Sequence, residues 1–283
     1  MKYCSPKNEK ELLNLFDEYS NYYILNGGTD LIVQANEQEL EDYLFIDISK
    51  IEELNYIRED KDNVYIGGNV KYWQIIESTI INDKFNGLIQ VASEIGSTQI
   101  RNLGTMAGNI ANASPGGDSP VILENLDASV LLKSKKESRV LSIDEFVTGF
   151  RKSALLDKEY IKEVIIKKDK KYSFFKKYGI GHKEKVIIAN ASMATSFNVY
   201  DNKLSDVKVT LGACSTKFRN NKVLSDYLEN KNVEQINVNE WLNLVDVELK
   251  NLTNDFFYDM KKGHLKGSAS DTIDYIISVL EVK

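Results

Sequence analysis

Apolar side chains along the chain follow two different periods, and each period predicts its own kind of element. A stripe at helical spacing, such as Leu12, Leu13 and Phe16, predicts a helix, whereas a short apolar run that ends at glycine predicts a strand. The predicted helices span residues 8–19, 72–81, 85–95, 119–126, 142–146, 222–229, 240–252 and 269–281. The predicted strands span residues 22–25, 44–48, 64–66, 128–133, 139–141, 160–166, 173–178, 187–200 and 205–211.

The order of these elements changes near residues 168–172. Before this point strands and helices mix around glycine-rich turns, and after it strands come first and helices last. This arrangement is typical of an α+β protein. We therefore expect one domain over residues 1–170, with subdomains of about 1–52 and 53–170, and a second domain over residues 171–283.

Composition excludes several classes of protein. The 283 residues carry a net charge of −6, which disfavours general binding to nucleic acid. Two cysteines and two histidines are too few for a disulfide framework, a structural zinc site or an iron–sulfur cluster. No run of about 18 apolar residues is present, and residues 1–20 lack the apolar core of a signal peptide, so a cytoplasmic location is expected. Chemistry must come from a cofactor, from backbone groups, or from carboxylates and hydroxyls.

The segment Ile24–Leu31, with the sequence ILNGGTDL, is the first candidate site. Paired glycines after a strand allow successive backbone N–H groups to converge on an anion, and the Thr29 hydroxyl adds a donor. A diphosphate suits such a site because backbone donors require no lysine. The alternative is a strand-to-helix turn that binds nothing.

The segment Gly96–Pro120 is the second candidate. It holds five of the 16 glycines, and residues 102–117 include no charged side chain. Small residues let the backbone approach a flat ligand, and hydroxyls and amides supply neutral hydrogen bonds. An irregular buried loop is the alternative, although its backbone would then need other partners. Two further features are interpreted as structural: a turn at Gly67-Gly68-Asn69, and a solvated strand edge over the lysine-rich stretch Lys167–Lys177.

These two segments together resemble the FAD-binding medium subunit of the molybdenum hydroxylases, the family of xanthine, carbon monoxide and nicotinate dehydrogenases. The two flavin motifs of the family, approximately AGGTDL and TIGGN, correspond to Asn26–Leu31 and Thr105–Asn109. The ANASPxGD element corresponds to Ala111–Asp118, and residues 264–276 resemble the segment RGSAxYR. The resemblance covers essentially the whole chain.

Three departures from the family pattern stand out. Asn26 replaces the usual alanine, and Ala107 replaces a glycine, which is compatible with the turn unless that position needs a positive φ. The stretch Gly181–Lys185 is GHKEK, where the family often has an arginine and an aspartate.

The resemblance implies an FAD domain of two α+β subdomains, followed by a small C-terminal α+β domain with a three-stranded sheet and helices. It also implies residues for a non-covalent FAD: residues 24–31 for the diphosphate, residues 105–109 for a second contact, Ile95 and Gly96 beside the flavin ring, and Asp118 for flavin hydroxyls. The full implied set is Ile24, Leu25, Asn26, Gly27, Gly28, Thr29, Asp30, Leu31, Ile95, Gly96, Thr105, Met106, Ala107, Gly108, Asn109, Asp118, Ile161, His182 and Lys183. No catalytic acid or base and no metal ligand is implied.

The resemblance further implies a heteromeric oxidoreductase. A large molybdopterin subunit would oxidise a purine or related heterocycle, and a small [2Fe–2S] subunit would pass electrons through this flavoprotein to NAD or another acceptor. Two alternatives remain at this stage. One is a free-standing FAD-dependent oxidoreductase on the same fold, and the other is a non-enzymatic nucleotide-binding module.

Overall fold

The structure, a computed structural model, describes residues 2–38, 43–180, 187–253 and 255–281. The strands are β1 (Lys2–Cys4), β2 (Tyr22–Leu25), β3 (Leu44–Asp47), β4 (Ile57–Glu59), β5 (Asn63–Gly67), β6 (Ser129–Lys133), β7 (Ser138–Ser142), β8 (Val147–Gly149), β9 (Lys152–Ser153), β10 (Tyr160–Lys167), β11 (Tyr172–Ile180), β12 (Ile188–Tyr200), β13 (Lys203–Gly212) and β14 (Arg219–Asn220). The helices are α1 (Glu9–Glu18), α2 (Leu31–Gln38), α3 (Tyr72–Glu77), α4 (Thr79–Asn82), α5 (Asn86–Glu94), α6 (Thr98–Leu103), α7 (Met106–Asn112), α8 (Asp118–Asn125), α9 (Ile143–Phe146), α10 (Lys222–Leu228), α11 (Val238–Leu252) and α12 (Asp255–Glu281). The α+β prediction is confirmed.

The first sheet is parallel and small. Its strand order is β1-β3-β2, so β3 lies in the centre and is buried along its whole length. The helix α1 begins at Asn8, whose side chain accepts a hydrogen bond from the backbone N–H of Glu11 at 2.8 Å. It buries Leu12 and Phe16 against this sheet. The carboxyl end of β2 is thereby fixed, and the first glycine segment starts there.

The second sheet is antiparallel and has the order β4-β5-β10-β6-β7. Its central strand β10 pairs with β5 on one side and β6 on the other. The register with β6 shifts between Ile161 and Glu163. Such a bulge bends a strand and redirects a side chain, and here it lies beside the cleft described below.

The third sheet differs from the expected three strands. Long strands β11, β12 and β13 are joined by the two-residue edge strand β14, in the order β11-β12-β13-β14. The helix α12 packs on β11 and β12, α10 packs on β13, and α11 packs on α12, around a core that includes Trp241, Val245 and Leu265. The buried helix α8 packs against β12 and β13, where the Asn125 amide donates to the carbonyls of Ala194 at 3.1 Å and Lys208 at 2.9 Å.

The expected boundary near residue 170 falls between β10 and β11, and therefore between the second and third sheets. Because α8 precedes that boundary but packs on the third sheet, the two parts share an extensive contact, and the division into domains stays a prediction.

The final helix was predicted over residues 269–281, and this was wrong at its start. It begins at Asp255 in the structure, fourteen residues earlier. Gly263 and Gly267 lower the intrinsic helix propensity of this stretch, and tertiary packing overrides that preference. Over the described residues, no helix is both long and apolar enough to cross a membrane.

Candidate functional site

A cleft of about 670 Å³ opens where three turns meet. The first turn follows β2, the second precedes α7, and the third follows β5 at Gly68. Residues already expected at a cofactor site that line this cleft are Ile24, Asn26, Gly27, Gly28, Thr29, Asp30, Leu31, Ile95, Gly96, Thr105, Ala107, Gly108, Asn109 and Ile161. The structure therefore brings together segments that are about seventy residues apart in sequence.

The first turn depends on two glycines for different reasons. Gly28 has φ +68°, a conformation that glycine adopts without steric cost. A Cβ on Gly27 would lie 2.0 Å from the carbonyl oxygen of Leu103, so the first and second turns pack backbone against backbone. Any side chain at Gly27 would push these turns apart.

The second turn is organised by Thr105. This buried residue is the N-cap of α7, and its Oγ1 accepts from the backbone N–H of Gly108 at 3.0 Å. Ala107 lies inside α7 and has no positive φ, so the departure from the family glycine causes no backbone strain here. Met106 points into the hydrophobic core instead of lining the cleft.

The Asn109 side chain provides evidence that the cleft is built for a polar ligand. Asn109 lines the cleft, yet its Oδ1 atom is buried and has no hydrogen-bond partner among the described residues. Buried polar atoms are almost always hydrogen-bonded, so an unpaired one calls for a missing donor. A ligand hydroxyl or N–H group would supply that donor.

The third turn is hydrogen-bonded to the first through the side chain of Asn26. The amide of Asn26 donates to the carbonyl of Gly68 at 3.0 Å and to Asn69 Oδ1 at 2.8 Å. Its Oδ1 accepts from Lys71 Nζ at 2.6 Å. Asn69 is buried and donates to the carbonyls of Ile48 at 2.6 Å and of Ile51 at 3.0 Å. The turn was interpreted as structural, and this is right for Asn69, whereas Gly68 also lines the cleft.

Polar side chains that the sequence did not single out close one rim of the cleft. Arg151 Nη1 donates to Asp30 Oδ2 at 3.3 Å and to Asn112 Oδ1 at 3.0 Å. Gln34 donates to the same two side chains. Arg151 lies about 120 residues after Asp30, and no spacing in the sequence points to their meeting.

Part of the cleft lining is apolar. Ile95, Ile100, Leu155, Ile161 and Ile188 line it. Such a surface suits a flat heterocycle, and the polar rim suits a sugar or a phosphate group. Asp30 and Arg151 are the charged residues among the described lining, and they pair with each other, so the cleft offers hydrogen bonds and shape more than acid–base chemistry.

Asp118 is placed differently from the other expected residues. It is buried outside the cleft lining, and its Oδ2 pairs with Lys177 Nζ at 2.5 Å. Lys177 also donates to the carbonyl of Glu94 at 3.1 Å, so the pair connects α8 to β11. A contact of Asp118 with flavin hydroxyls stays a prediction. Leu25 also lies outside the lining, and His182 and Lys183 fall outside the described residues.

The lysine-rich stretch is not a solvated edge throughout. Lys177 is buried in the pair just described, and Lys170 is buried with its Nζ donating to the carbonyl of Asp206 at 2.8 Å. The prediction was wrong for these two residues, because carboxylate and carbonyl oxygens compensate the loss of water. Over the described residues, no cluster of three or more His, Cys, Asp or Glu side chains is suited to a metal ion.

The cleft fits FAD on these observations. The backbone of Gly27 and Gly28 lines the cleft, where N–H groups can bind a diphosphate. Among the described residues Asn109 Oδ1 has no hydrogen-bond donor, and the isoleucine surface suits a flat ring. Comparison with known proteins agrees with this assignment.

A family model described as the FAD binding domain in molybdopterin dehydrogenase matches residues 1–167. The FAD subunit of nicotinate dehydrogenase from Eubacterium barkeri is 33% identical over 193 residues, which are 66% of this chain and 65% of that subunit. The medium chain of glyceraldehyde dehydrogenase from Sulfolobus acidocaldarius is 27% identical, over 76% of each chain. The match with the first of these relatives thus spans slightly less than two thirds of its length.

Solved structures show the same fold. A chain of quinoline 2-oxidoreductase from Pseudomonas putida 86 superposes with a TM-score of 0.90 at 18% identity, covering 99% of this chain and 98% of the other. A chain of carbon monoxide dehydrogenase from Hydrogenophaga pseudoflava superposes with a TM-score of 0.84 at 22% identity, covering 96% and 95%. With the family match over more than half of its length, the chain belongs to the family of FAD-binding domains of molybdopterin dehydrogenases.

Proposed function

We propose that this chain is the electron-transferring FAD subunit of a molybdenum hydroxylase complex. The observation that carries the proposal is the cleft itself, in which two separate turns meet without intervening side chains and leave the Asn109 oxygen unpaired. The family match supplies the identity of the ligand.

The residues of the cleft have distinct tasks in this proposal. The N–H groups of the first turn, from Gly27 to Thr29, hold the diphosphate. The start of α7, from Thr105 to Asn109, provides a second set of polar contacts. Ile95 and Ile161 shape the apolar part beside the flavin ring and keep water from it.

When bound, FAD supplies the redox chemistry that links a [2Fe–2S] partner subunit with NAD or another acceptor. The protein contributes position and environment, and the paired state of Asp30 and Arg151 agrees with that division of labour. Molybdopterin belongs to a larger partner subunit in this proposal. The similar proteins are named for different substrates, nicotinate, glyceraldehyde and caffeine, which supports placing the choice of substrate in that partner. The substrate in this proposal is a purine or related heterocycle, the class to which nicotinate and caffeine belong.

The test begins with the purified chain. Its visible spectrum should show a flavin, and acid precipitation should release yellow FAD into the supernatant. Flavin that remains in the pellet, or FMN in place of FAD, contradicts non-covalent FAD binding. A colourless protein that binds no added FAD favours a non-flavin nucleotide-binding module.

A second measurement separates a subunit from a free-standing enzyme. The FAD-loaded chain should not oxidise xanthine, hypoxanthine or nicotinate with a dye as acceptor, although NADH should still reduce the dye weakly through the flavin. A tagged chain expressed in its native host should co-purify with a large and a small redox subunit. Robust oxidation of a heterocycle by the isolated chain overturns the subunit assignment.

A further inference from the structure

We infer that Lys71 is the counter-charge for the anionic group held at the first turn, acting from behind the cleft lining through Asn26. The inference rests on the proposed binding of FAD and names the diphosphate as the group that Lys71 serves. Lys71 itself does not line the cleft, so it is a positioning and electrostatic residue and not a direct ligand.

The position of Lys71 connects both cofactor turns. Its backbone forms an isolated antiparallel bridge with Thr105, the N-cap of the second turn. Its Nζ donates to Asn26 Oδ1 at 2.6 Å in the first turn. Because the amide of Asn26 is occupied by Gly68 and Asn69, the Asn26 side chain is fixed with its oxygen toward the ammonium group.

The charged side chains of the cleft lining leave a bound diphosphate without a net counter-charge. The diphosphate of FAD brings two negative charges, whereas the charged side chains among the described lining, Asp30 and Arg151, cancel each other at 3.3 Å. Backbone N–H groups supply partial charges only. In the described part of the chain Lys71 forms no ion pair within 4.0 Å, so its positive charge is offset only at longer range, by Asp47.

The surroundings of Lys71 disfavour its charge when no anion is bound. Burial lowers its pKa to about 8, against an opposing attraction from Asp47. The Asp47 carboxylate is buried at the end of β3 and accepts from Tyr3 and Ser49, and Lys50 lies nearby in solvent. The next residue, Tyr72, is buried with a raised pKa and stays neutral.

This setting gives the sign of the pH dependence. An anion beside Lys71 favours its protonated form and raises its pKa, so FAD binding is coupled to that proton. Affinity for FAD is therefore full below pH 8 and decreases as the pH rises through about 8. Each unit by which binding raises the pKa corresponds to about a tenfold loss of affinity across the transition.

The experiment compares FAD with riboflavin, which has the same ring but no phosphate. Dissociation constants are measured by fluorescence titration of the flavin-free full chain from pH 6.5 to 9.5. The variants are Lys71→Gln, Lys71→Arg and, as a matched control, Lys50→Gln, which removes the same charge from an exposed position nearby. Circular dichroism and denaturant unfolding verify that each variant is folded.

Lys71→Gln should weaken FAD binding about tenfold at pH 7, leave riboflavin binding unchanged, and abolish the pH dependence. Lys71→Arg should retain most of the affinity, because its charge persists at every pH used. The wild-type pH profile tests the idea even if a variant fails to fold.

Equal loss of FAD and riboflavin in Lys71→Gln overturns the inference in favour of a structural role. A loss of FAD affinity in Lys50→Gln as large as that in Lys71→Gln also overturns the inference. A wild-type FAD affinity that does not change with pH overturns it as well. If the wild-type chain binds neither flavin, the proposed function fails and the inference with it, and this result is distinct from all the others.

Discussion

Two Gly-Gly turns follow strands in this chain, and the structure uses them for different purposes. Gly28, in the turn after β2, adopts φ +68°, and a Cβ there would meet only side-chain atoms of Ile32 and Leu25 at 3.1 and 3.2 Å. Gly68, in the turn after β5, has no positive φ, but a Cβ there would lie 2.5 Å from the backbone oxygen of Ile161. Gly28 is needed for its backbone conformation, and Gly68 is needed for the close approach of the turn to the backbone of β10.

The first turn serves ligand binding, whereas the Gly68 turn serves the stability of the fold. The first turn presents its backbone to the cleft, so a change there acts first on the ligand. The third turn, at Gly68, packs against β10 and anchors the loop after β3 through Asn69, so a change there acts first on the fold. Similar sequence signals thus have two physical origins, and substitutions can distinguish them.

The largest expected effect is on FAD affinity in Gly28→Val. A valine at positive φ distorts the backbone that must lie against the phosphates. Loss of about two hydrogen bonds to a charged group, at about 1.5–3 kcal/mol each, should weaken FAD binding by roughly 10²–10⁴-fold. The cost to the free energy of unfolding should be about 1–2 kcal/mol, the usual cost of this conformation. Flavin titration and denaturant unfolding measure the two quantities, and full flavin occupancy in a folded variant would contradict the site.

The second largest effect is on stability in Gly68→Ala. The added Cβ must displace the backbone of β10 at Ile161, and overpacking of this kind costs about 1–3 kcal/mol. Urea unfolding should show the loss, while the FAD dissociation constant of the folded fraction changes less than in Gly28→Val. If Gly68→Ala instead keeps its stability and loses flavin, the two turns do not differ as the structure indicates.

A smaller effect is expected in Asn69→Ala. The substitution removes two buried hydrogen bonds to Ile48 and Ile51, but each carbonyl keeps a backbone partner, so the cost should be about 1–2 kcal/mol. Asn26→Ala is the matched variant in the first turn, where the amide is only partly buried. Its unfolding free energy should change by less than that of Asn69→Ala, and the reverse order would contradict the comparison.

The sequence predicted the larger elements and the two glycine segments well, because those carry local signals. Strands with apolar runs, such as β10 and β12, and the amphipathic helix α1 match their predicted positions within a few residues. The short helices α6 and α7 were missed, since the Gly96–Pro120 segment was interpreted as a ligand-facing or buried loop. Thr98, Asn102, Gly108 and Asn109 lower the helix propensity of these segments, and caps from Ser97 and Thr105 together with packing stabilise them.

The residues missed at the cleft share a different cause. Arg151 and Lys71 act through contacts with side chains far away in sequence, and nothing in their local pattern distinguishes them from surface cations. The only available signal for Lys71 was its position just after the second Gly-Gly turn. The buried pair of Asp118 and Lys177 was equally invisible, because a lysine-rich stretch normally indicates a solvated surface.

The smallest expected effect is on stability in Gly263→Ala, because Gly263 has neither a special backbone conformation nor a close backbone contact. Gly263 lies exposed within α12, has no positive φ, and a Cβ there would meet no atom within 4 Å. Gly263→Ala should therefore raise the free energy of unfolding by about 0.5–1 kcal/mol, the difference in helix propensity, and leave FAD affinity unchanged. The free energy of unfolding should thus rise in Gly263→Ala and fall in Gly68→Ala. This contrast would show that the losses at the two turns arise from their local geometry and not from the replacement of glycine in general. A loss of stability in Gly263→Ala, measured by the same urea unfolding, would point to a contact on this face of α12.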